Sequence, residues 1–319
     1  MAEWLVERGI GETRALLMEG GRALAARLSW PEDVPLGPVT AQLVRKRGGS
    51  RRGLARTAGD LEIDVSGLAT SVSEGQTIDV LVSRAPIAEK GRLKRAQGWH
   101  LHADAPAREH RDPIESGKAV RRFAPGLWED IWGEAWDAQI AFSGGSLVVS
   151  PTPAMTLIDI DGDLAPRELA LAAVPAIAAA LRRFDLGGSI GIDFPTLSEK
   201  AQRRAVDEAL EHALADWPHE RTAMNGFGFV QLVARLEGPS LLHRLHFHRA
   251  GSAARMLLRR AEHADGIGPR LLLRAHPAVI ERLPDDWREE LARRSGREVV
   301  IERDPELALE AGHAQVLAS

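Results

Sequence analysis

The chain has 319 residues, 44% of them hydrophobic and 27% charged, which excludes disordered and fibrous classes and gives material for two or three domains. It has no cysteine, so disulfides and cysteine-ligated zinc or iron–sulfur centres are excluded, and a reducing cytoplasm is the expected setting. The net charge of −4 does not by itself announce a polyanion binder.

The N-terminal run MAEWLVERGIGETR carries acids and lacks the apolar core of a signal peptide. Residues 13 to 28 read as two strands joined by a turn at Glu19, Gly20 and Gly21. From Gly37 to Arg95 come short alternating segments (PVTAQLV, GLARTA, LEIDVSG, QTIDVLVSR) punctuated by glycines, the pattern of a small barrel. Two basic clusters fall here: Arg45, Lys46, Arg47, Arg51, Arg52 and Arg56, then Lys90, Arg92, Lys94 and Arg95. A surface that tracks phosphates needs such local charge, and a merely solvated loop carries it equally well. Residues 97 to 125 have little periodicity and read as a connection. Trp128, Trp132 and Trp136 fall at i, i+4 and i+8, one stripe of a helix; large aromatics at that spacing predict a buried face rather than a stacking platform.

Two hydrophobic strands then end in acids. Ser146 to Val149 is followed by Met155 to Asp159, and Gly188 to Asp193 comes later. Between them lies an alanine-rich helix over 167–183, so the run is a βαβ unit with adjacent parallel strands. That helix includes the longest apolar stretch, Leu169 to Leu181, which is too short to span a bilayer; a soluble chain without a membrane anchor is expected. Ser198 to Ala215 reads as a further helix with Ser198 as its N-cap, and Gly228 to Arg235 as a strand. From about Gly251 the pattern is helix, strand (RLLLRAH), helix stopped by Gly296, and strand (EVVIERD), a small α+β module.

The chemistry-bearing feature is the pair LIDID (157–161) and GIDF (191–194). It puts Asp159 and Asp193 at the C-terminal ends of neighbouring strands, where open α/β sheets build sites. Two close carboxylates repel unless a cation lies between them, and oxygen-only ligands suit Mg²⁺ or Mn²⁺. Asp161, two residues on, points the same way along an extended chain and is a third candidate ligand. Acids at strand ends also cap helices or satisfy loop amides, and the residues alone leave that alternative open.

The run WDAQIAFSGGSLVVSPTPAMTLIDIDGD, and later RRFDLGGSIGIDFPTL with the helix KAQRRAVDEALEHAL, resemble the ribonuclease E/G family in order and spacing. Weaker likenesses cover GETRALLMEGGRALAARLSWP, EGQTIDVLVSRAPIAEKGRLKRA, GFGFVQLVARLEGPSLL and the C-terminal LLLRAHPAVIERL and GREVVIERDP. The resemblance implies endonucleolytic cleavage of single-stranded RNA, with Asp159 and Asp193 holding one Mg²⁺ and Asp161 standing where the family usually has asparagine. By position Lys90 resembles a lysine that approaches the scissile phosphate, and Arg221 resembles an active-site arginine. Arg45, Lys46, Arg47, Arg51, Arg52 and Arg92 become candidate RNA contacts. The departures are equally plain. Aromatics are missing around Leu54 and Gly67, no 5′-end sensor with its Arg-Thr dipeptide is found, and Thr196 replaces the second acid of Asp-Phe-x-Asp. The family's Cys-x-x-Cys zinc link is absent, so a zinc-bridged oligomer is not expected and a monomer or dimer is. His243, His246 and His248 lie near that position, readable as a substitute metal site or as polar surface.

The fold implied is α+β with an α/β catalytic core. A ribonuclease-H-like subdomain over 1–35 and, with a connection, 98–150 carries an inserted, reduced oligonucleotide-binding barrel at 36–97. A metal-bearing α/β domain at 151–245 and a small α+β domain at 251–319 complete it. Two functions remain: a metal-dependent endoribonuclease, or an RNA-binding protein descended from one with little or no cleavage. An unrelated phosphatase or kinase would need a phosphate-binding Gly-rich loop or a nucleophile, and neither is apparent.

Overall fold

A computed structural model describes residues 1–101 and 113–318; residues 102–112, within the expected connection, lie outside the described residues. Strands β1 (Glu3–Arg8), β2 (Thr13–Glu19) and β3 (Arg22–Ser29) open the chain. Then come β4 (Gly37–Lys46), β5 (Arg52–Arg56), β6 (Glu62–Ser66), β7 (Thr77–Arg84), β8 (Ile87–Glu89), β9 (Arg92–Lys94) and β10 (Ala96–His100). Helix α1 (Pro113–Ser116), β11 (Lys118–Val120) and α2 (Leu127–Asp137) lead to β12 (Gln139–Phe142), β13 (Gly145–Pro151) and β14 (Thr156–Gly162). Next are α3 (Pro166–Arg183), β15 (Gly188–Asp193), α4 (Lys200–Ala213), β16 (His219–Arg221) and β17 (Phe229–Ala234). The chain closes with α5 (Leu241–Phe247), α6 (Arg249–Glu262), β18 (Arg270–Ala275), α7 (Pro277–Ile280), α8 (Asp285–Ser295), β19 (Glu298–Arg303) and β20 (His313–Leu317). Among the described residues no helix is long and apolar enough to cross a membrane.

Two compact units form, one from residues 1–31, 113–129 and 244–319, the other from 32–112 and 130–243. The first holds a four-stranded sheet in the order β11-β1-β2-β3 and a three-stranded sheet in the order β19-β18-β20. The β2–β3 hairpin turns where expected, on Gly20 and Gly21, both at positive φ (56° and 78°), a conformation glycine adopts without steric cost. Helix α8 stops at Gly296 in the left-handed region, as its sequence predicts. This unit is held by buried charge as well as apolar packing. Glu7 (2% exposed) accepts from Arg14 at 2.9 Å, from Arg259 at 2.8 Å and from the Phe123 backbone N–H at 2.8 Å. Arg14, fully buried, also donates to Glu12 at 2.7 Å, and Arg259 reaches Glu129.

The second unit contains the barrel and the larger sheet. The barrel closes in the order β10-β6-β5-β4-β7 around Leu43, Ile63, Val65, Leu68, Val80 and Val82. Strand β10 runs parallel to β6 and antiparallel to β7, so residues 96–100 complete the barrel where the sequence reads as connection from 97 onward. Five residues alone carry too little alternation to be told from a loop. Trp132 and Trp136 are buried and stacked, 4.7 Å between ring centroids, and Trp128 of the other unit is fully buried, so the tryptophan stripe is core as expected.

The larger sheet runs β12-β13-β14-β15-β17-β16, antiparallel except at β14–β15, which the α3 crossover joins in parallel. Alternation along its strands sends Leu147, Val149, Ile158, Ile160, Ile190, Ile192, Val230 and Leu232 to one buried face. Helix α3 packs there on β12, β13 and β14, with α4 beside it. Helix α4 begins one residue later than its sequence implies. Glu199, not Ser198, is the capping residue, and no side chain caps it; the Leu197 and Ser198 carbonyls instead accept from Arg203.

Candidate active site

The same alternation that buries isoleucine turns the acids outward. In β14, Thr156, Ile158 and Ile160 are buried while Leu157, Asp159 and Asp161 are exposed; in β15, Ile190 and Ile192 are buried and Asp193 is exposed. The parallel register pairs Ile158 with Ile192 and Asp159 with Asp193. Both aspartates therefore leave adjacent strands, about 4.8 Å apart, on the same open face. Asp161 lies on that face, one residue pair further along and opposite Ser146 of β13.

Little in the protein neutralises this pair. The Ile160 backbone N–H donates to Asp159 at 3.0 Å, and among the described residues no lysine or arginine reaches Asp159, Asp161 or Asp193. Among the described residues no three or more His, Asp or Glu side chains converge closely enough to hold an ion. The histidines do not supply such a set either. His243 is 9% exposed, and its Nδ1 lies 2.7 Å from Ser240 Oγ. An ion at the open face would rest on the Asp159 and Asp193 carboxylates with water filling its other positions. That donor set fits Mg²⁺ or Mn²⁺, which accept one or two carboxylates and keep several waters.

The other candidates divide. Arg221 of β16 pairs with Leu232, which belongs to the buried face, so its side chain leaves the sheet on the side opposite the aspartates. There it binds Asp207 of α4 at 3.0 Å and the Asp207 carbonyl at 2.9 Å. Lys90 sits at the exposed tip of the β8–β9 hairpin. Next to it Arg92 donates to the Pro153 carbonyl at 2.7 Å, which ties the hairpin to the loop entering β14. Arg92 and Lys94 converge on Glu89, at 2.6 and 2.5 Å. Burial alone would push this carboxyl up, but the Lys94 and Arg92 hydrogen bonds outweigh it and hold it below the usual carboxylate range. Arg95 and Arg56 are both taken up by Glu62.

The first basic cluster splits in the same way. Lys46 donates to the carbonyls of Ala69, Thr70 and Val72, and Arg51 to those of Leu68 and Gly67, so both stitch the 67–72 loop. Arg45, Arg47 and Arg52 are exposed and make no side-chain bond among the described residues. One aromatic escaped the sequence reading. Trp99 of β10, 40% exposed, lies across Gly67, where a Cβ would meet its ring at 3.1 Å. The barrel thus carries an aromatic surface near Gly67, supplied by a strand that the sequence does not announce.

The fold and the register place Asp159 and Asp193 side by side on the open face of an α/β sheet, in the same compact unit as a closed five-stranded barrel. Residues 133–235, which contain both aspartates, match the Ribonuclease E/G family. Ribonuclease G of Escherichia coli (strain K12) is 31% identical over 192 residues, 51% of this chain and 39% of that protein; Ribonuclease G of Salmonella typhimurium (strain SL1344) has the same values. Ribonuclease E of Escherichia coli (strain K12) is 35% identical over 115 residues, 33% of this chain and 11% of that protein. This segment of the chain is thus similar to the ribonuclease E/G family. It spans well under half the length of the curated relatives it matches.

Proposed function

We propose that this chain is an endoribonuclease that hydrolyses phosphodiester bonds of single-stranded RNA with Mg²⁺ or Mn²⁺ as cofactor. The observation that carries this reading is the register pairing of Asp159 with Asp193 on an open face, in the segment matching ribonucleases. A divalent cation held there would polarise a phosphate oxygen and lower the pKa of a bound water. The protein's own part is to hold two carboxylates at fixed spacing on the rigid β14–β15 pair, so that binding costs little reorganisation. Asp161, on the same face, would accept a hydrogen bond from a water held beside the pair. The exposed face leaves room for an extended RNA strand, and Arg45, Arg47 and Arg52 on the barrel provide phosphate contacts.

The test is cleavage of a labelled, unstructured RNA with Mg²⁺, with Mn²⁺ and with EDTA. Internal cuts that need either ion support the hydrolase. Binding without cutting under both ions favours the RNA-binding relative instead.

The barrel arginines give a second expected outcome. Arg45→Ala with Arg47→Ala lowers RNA affinity and flattens the dependence of log K on log salt by roughly 1.4, about 0.7 for each single-strand phosphate that is no longer neutralised. Lys46→Met behaves differently, because its ammonium holds three loop carbonyls. It lowers the melting temperature and leaves the salt slope near that of the wild type. Salt titrations of all three proteins against one oligonucleotide, with melting curves alongside, check both statements.

A further inference from the structure

We propose that Phe227 is a base-stacking residue, gripping a nucleotide of single-stranded RNA next to the phosphate engaged at Asp159 and Asp193; this rests on the functional reading above. Phe227 is 82% exposed. A hairpin tip ordinarily carries polar or turn-forming residues, and a large ring left in water loses the stabilisation its burial would give.

The turn that presents it is built rather than loose. Asn225 Oδ1 accepts from the backbone N–H groups of both Phe227 (2.9 Å) and Phe229 (3.1 Å), and the Asn225 carbonyl accepts from Gly228 N–H at 3.2 Å. Gly228 stands at φ +90°, and a Cβ there would lie 2.4 Å from the Phe194 carbonyl oxygen, so only glycine lets the turn sit this close. Phe194 N–H in turn donates to the Gly228 carbonyl at 3.1 Å. Phe194 directly follows Asp193, and Phe229, two residues after Phe227, is the register partner of Asp193. The backbone that carries the exposed ring is therefore held by hydrogen bonds to the residue next to Asp193.

Around it the open face is partly apolar. The Phe229 ring crosses Gly191 toward Leu157, and Leu157 and Val233 are 37% and 49% exposed. Phosphates are drawn to cations and acids exclude them unless a metal intervenes, but a base has a π-face that stacks on any aromatic. An aromatic carried on a well-held turn next to an acid pair that would hold a metal suits a nucleotide anchored at both ends, with little ordering cost in the backbone on binding.

The experiment compares wild type, Phe227→Ala and Phe227→Trp in the full chain. Melting temperature controls for folding. Cleavage kinetics and affinity for an unstructured oligonucleotide are both measured, affinity at several salt concentrations and with a 2-aminopurine reporter. The expected result is about a tenfold or greater rise in KM and Kd for Phe227→Ala, loss of 2-aminopurine quenching, and recovery in Phe227→Trp. Stacking releases no counterions, so the salt slope stays at the wild-type value, unlike the Arg45 and Arg47 variants. Equal KM, Kd and quenching in Phe227→Ala overturns the inference, whether or not the chain cuts. Absence of cutting by the wild type with either ion overturns the hydrolase reading alone, because affinity and quenching still decide the role of Phe227.

Discussion

Replacing Asp193 by asparagine is expected to reduce metal-dependent RNA cleavage by at least about 10²–10³-fold, the scale on which removal of one preorganised charge-stabilising group acts. Asparagine keeps the shape and a hydrogen-bonding oxygen but removes the charge by which the Asp159–Asp193 pair would hold the proposed cation. Binding to the oligonucleotide without metal should change little, because the acids repel phosphate rather than attract it. A second readout needs no turnover. Without divalent ions the two paired carboxylates repel each other across adjacent strands, so Asp193→Asn melts at the wild-type temperature or slightly above it. With millimolar Mg²⁺ or Mn²⁺ the wild type gains stability by mass action and the variant gains much less. Full activity in Asp193→Asn, or equal metal stabilisation of both proteins, would falsify the assignment. Arg221→Ala makes the contrast: its guanidinium is held by Asp207 behind the sheet, so it costs stability before it costs chemistry.

The aspartate pair was legible because its signal is local. Two hydrophobic strands that end in acid, separated by one helix, permit few arrangements, and the parallel crossover brings the strand ends side by side. The closed barrel and the helices and strands of the C-terminal part were legible for the same reason, since alternation and glycine stops are short-range patterns. What stayed hidden depends on partners far along the chain. Lys46 and Arg51 look like Arg45 and Arg47 in sequence, and only the fold shows that the first two hold loop carbonyls. Arg221 sits on a three-residue strand, too short for alternation to tell which face it takes. Phe227 reads as one more apolar residue in GFGFVQL, and nothing in its neighbours marks it as the one left in water. Strands β1, β11 and β20 gain their identity from pairing, and β11 has only three residues.

The buried charge network was the least legible feature, and it carries the second large expected effect. Glu7, Arg14 and Arg259 are separated by up to 252 residues, yet one carboxylate serves both guanidiniums, with the His263 ring 3.5 Å away. Burial by itself would push the Glu7 carboxyl up. The hydrogen bonds from His263 and Arg259 and the charges of Arg14 and Arg259 outweigh it, holding Glu7 well below its ordinary value of 4.5. A carboxyl held down in the folded state contributes stability that is complete above its unfolded pKa and is lost as pH falls toward the folded one. Glu7→Gln removes that contribution at every pH and leaves two buried arginines sharing Glu12 and Glu129. Breaking a buried pair from one side costs about 3–5 kcal/mol, on the order of 10 °C in melting temperature for a protein of this size. Arg259→Met should cost less, because Glu7 keeps Arg14. Denaturation of both variants and the wild type at pH 7 and pH 4 checks the ranking. The gap between Glu7→Gln and wild type should be widest at pH 7 and narrow toward pH 4 and below, as the wild type begins to protonate the unfolded carboxyl. A gap that stays constant across this range would mean that Glu7 acts by shape and not by charge.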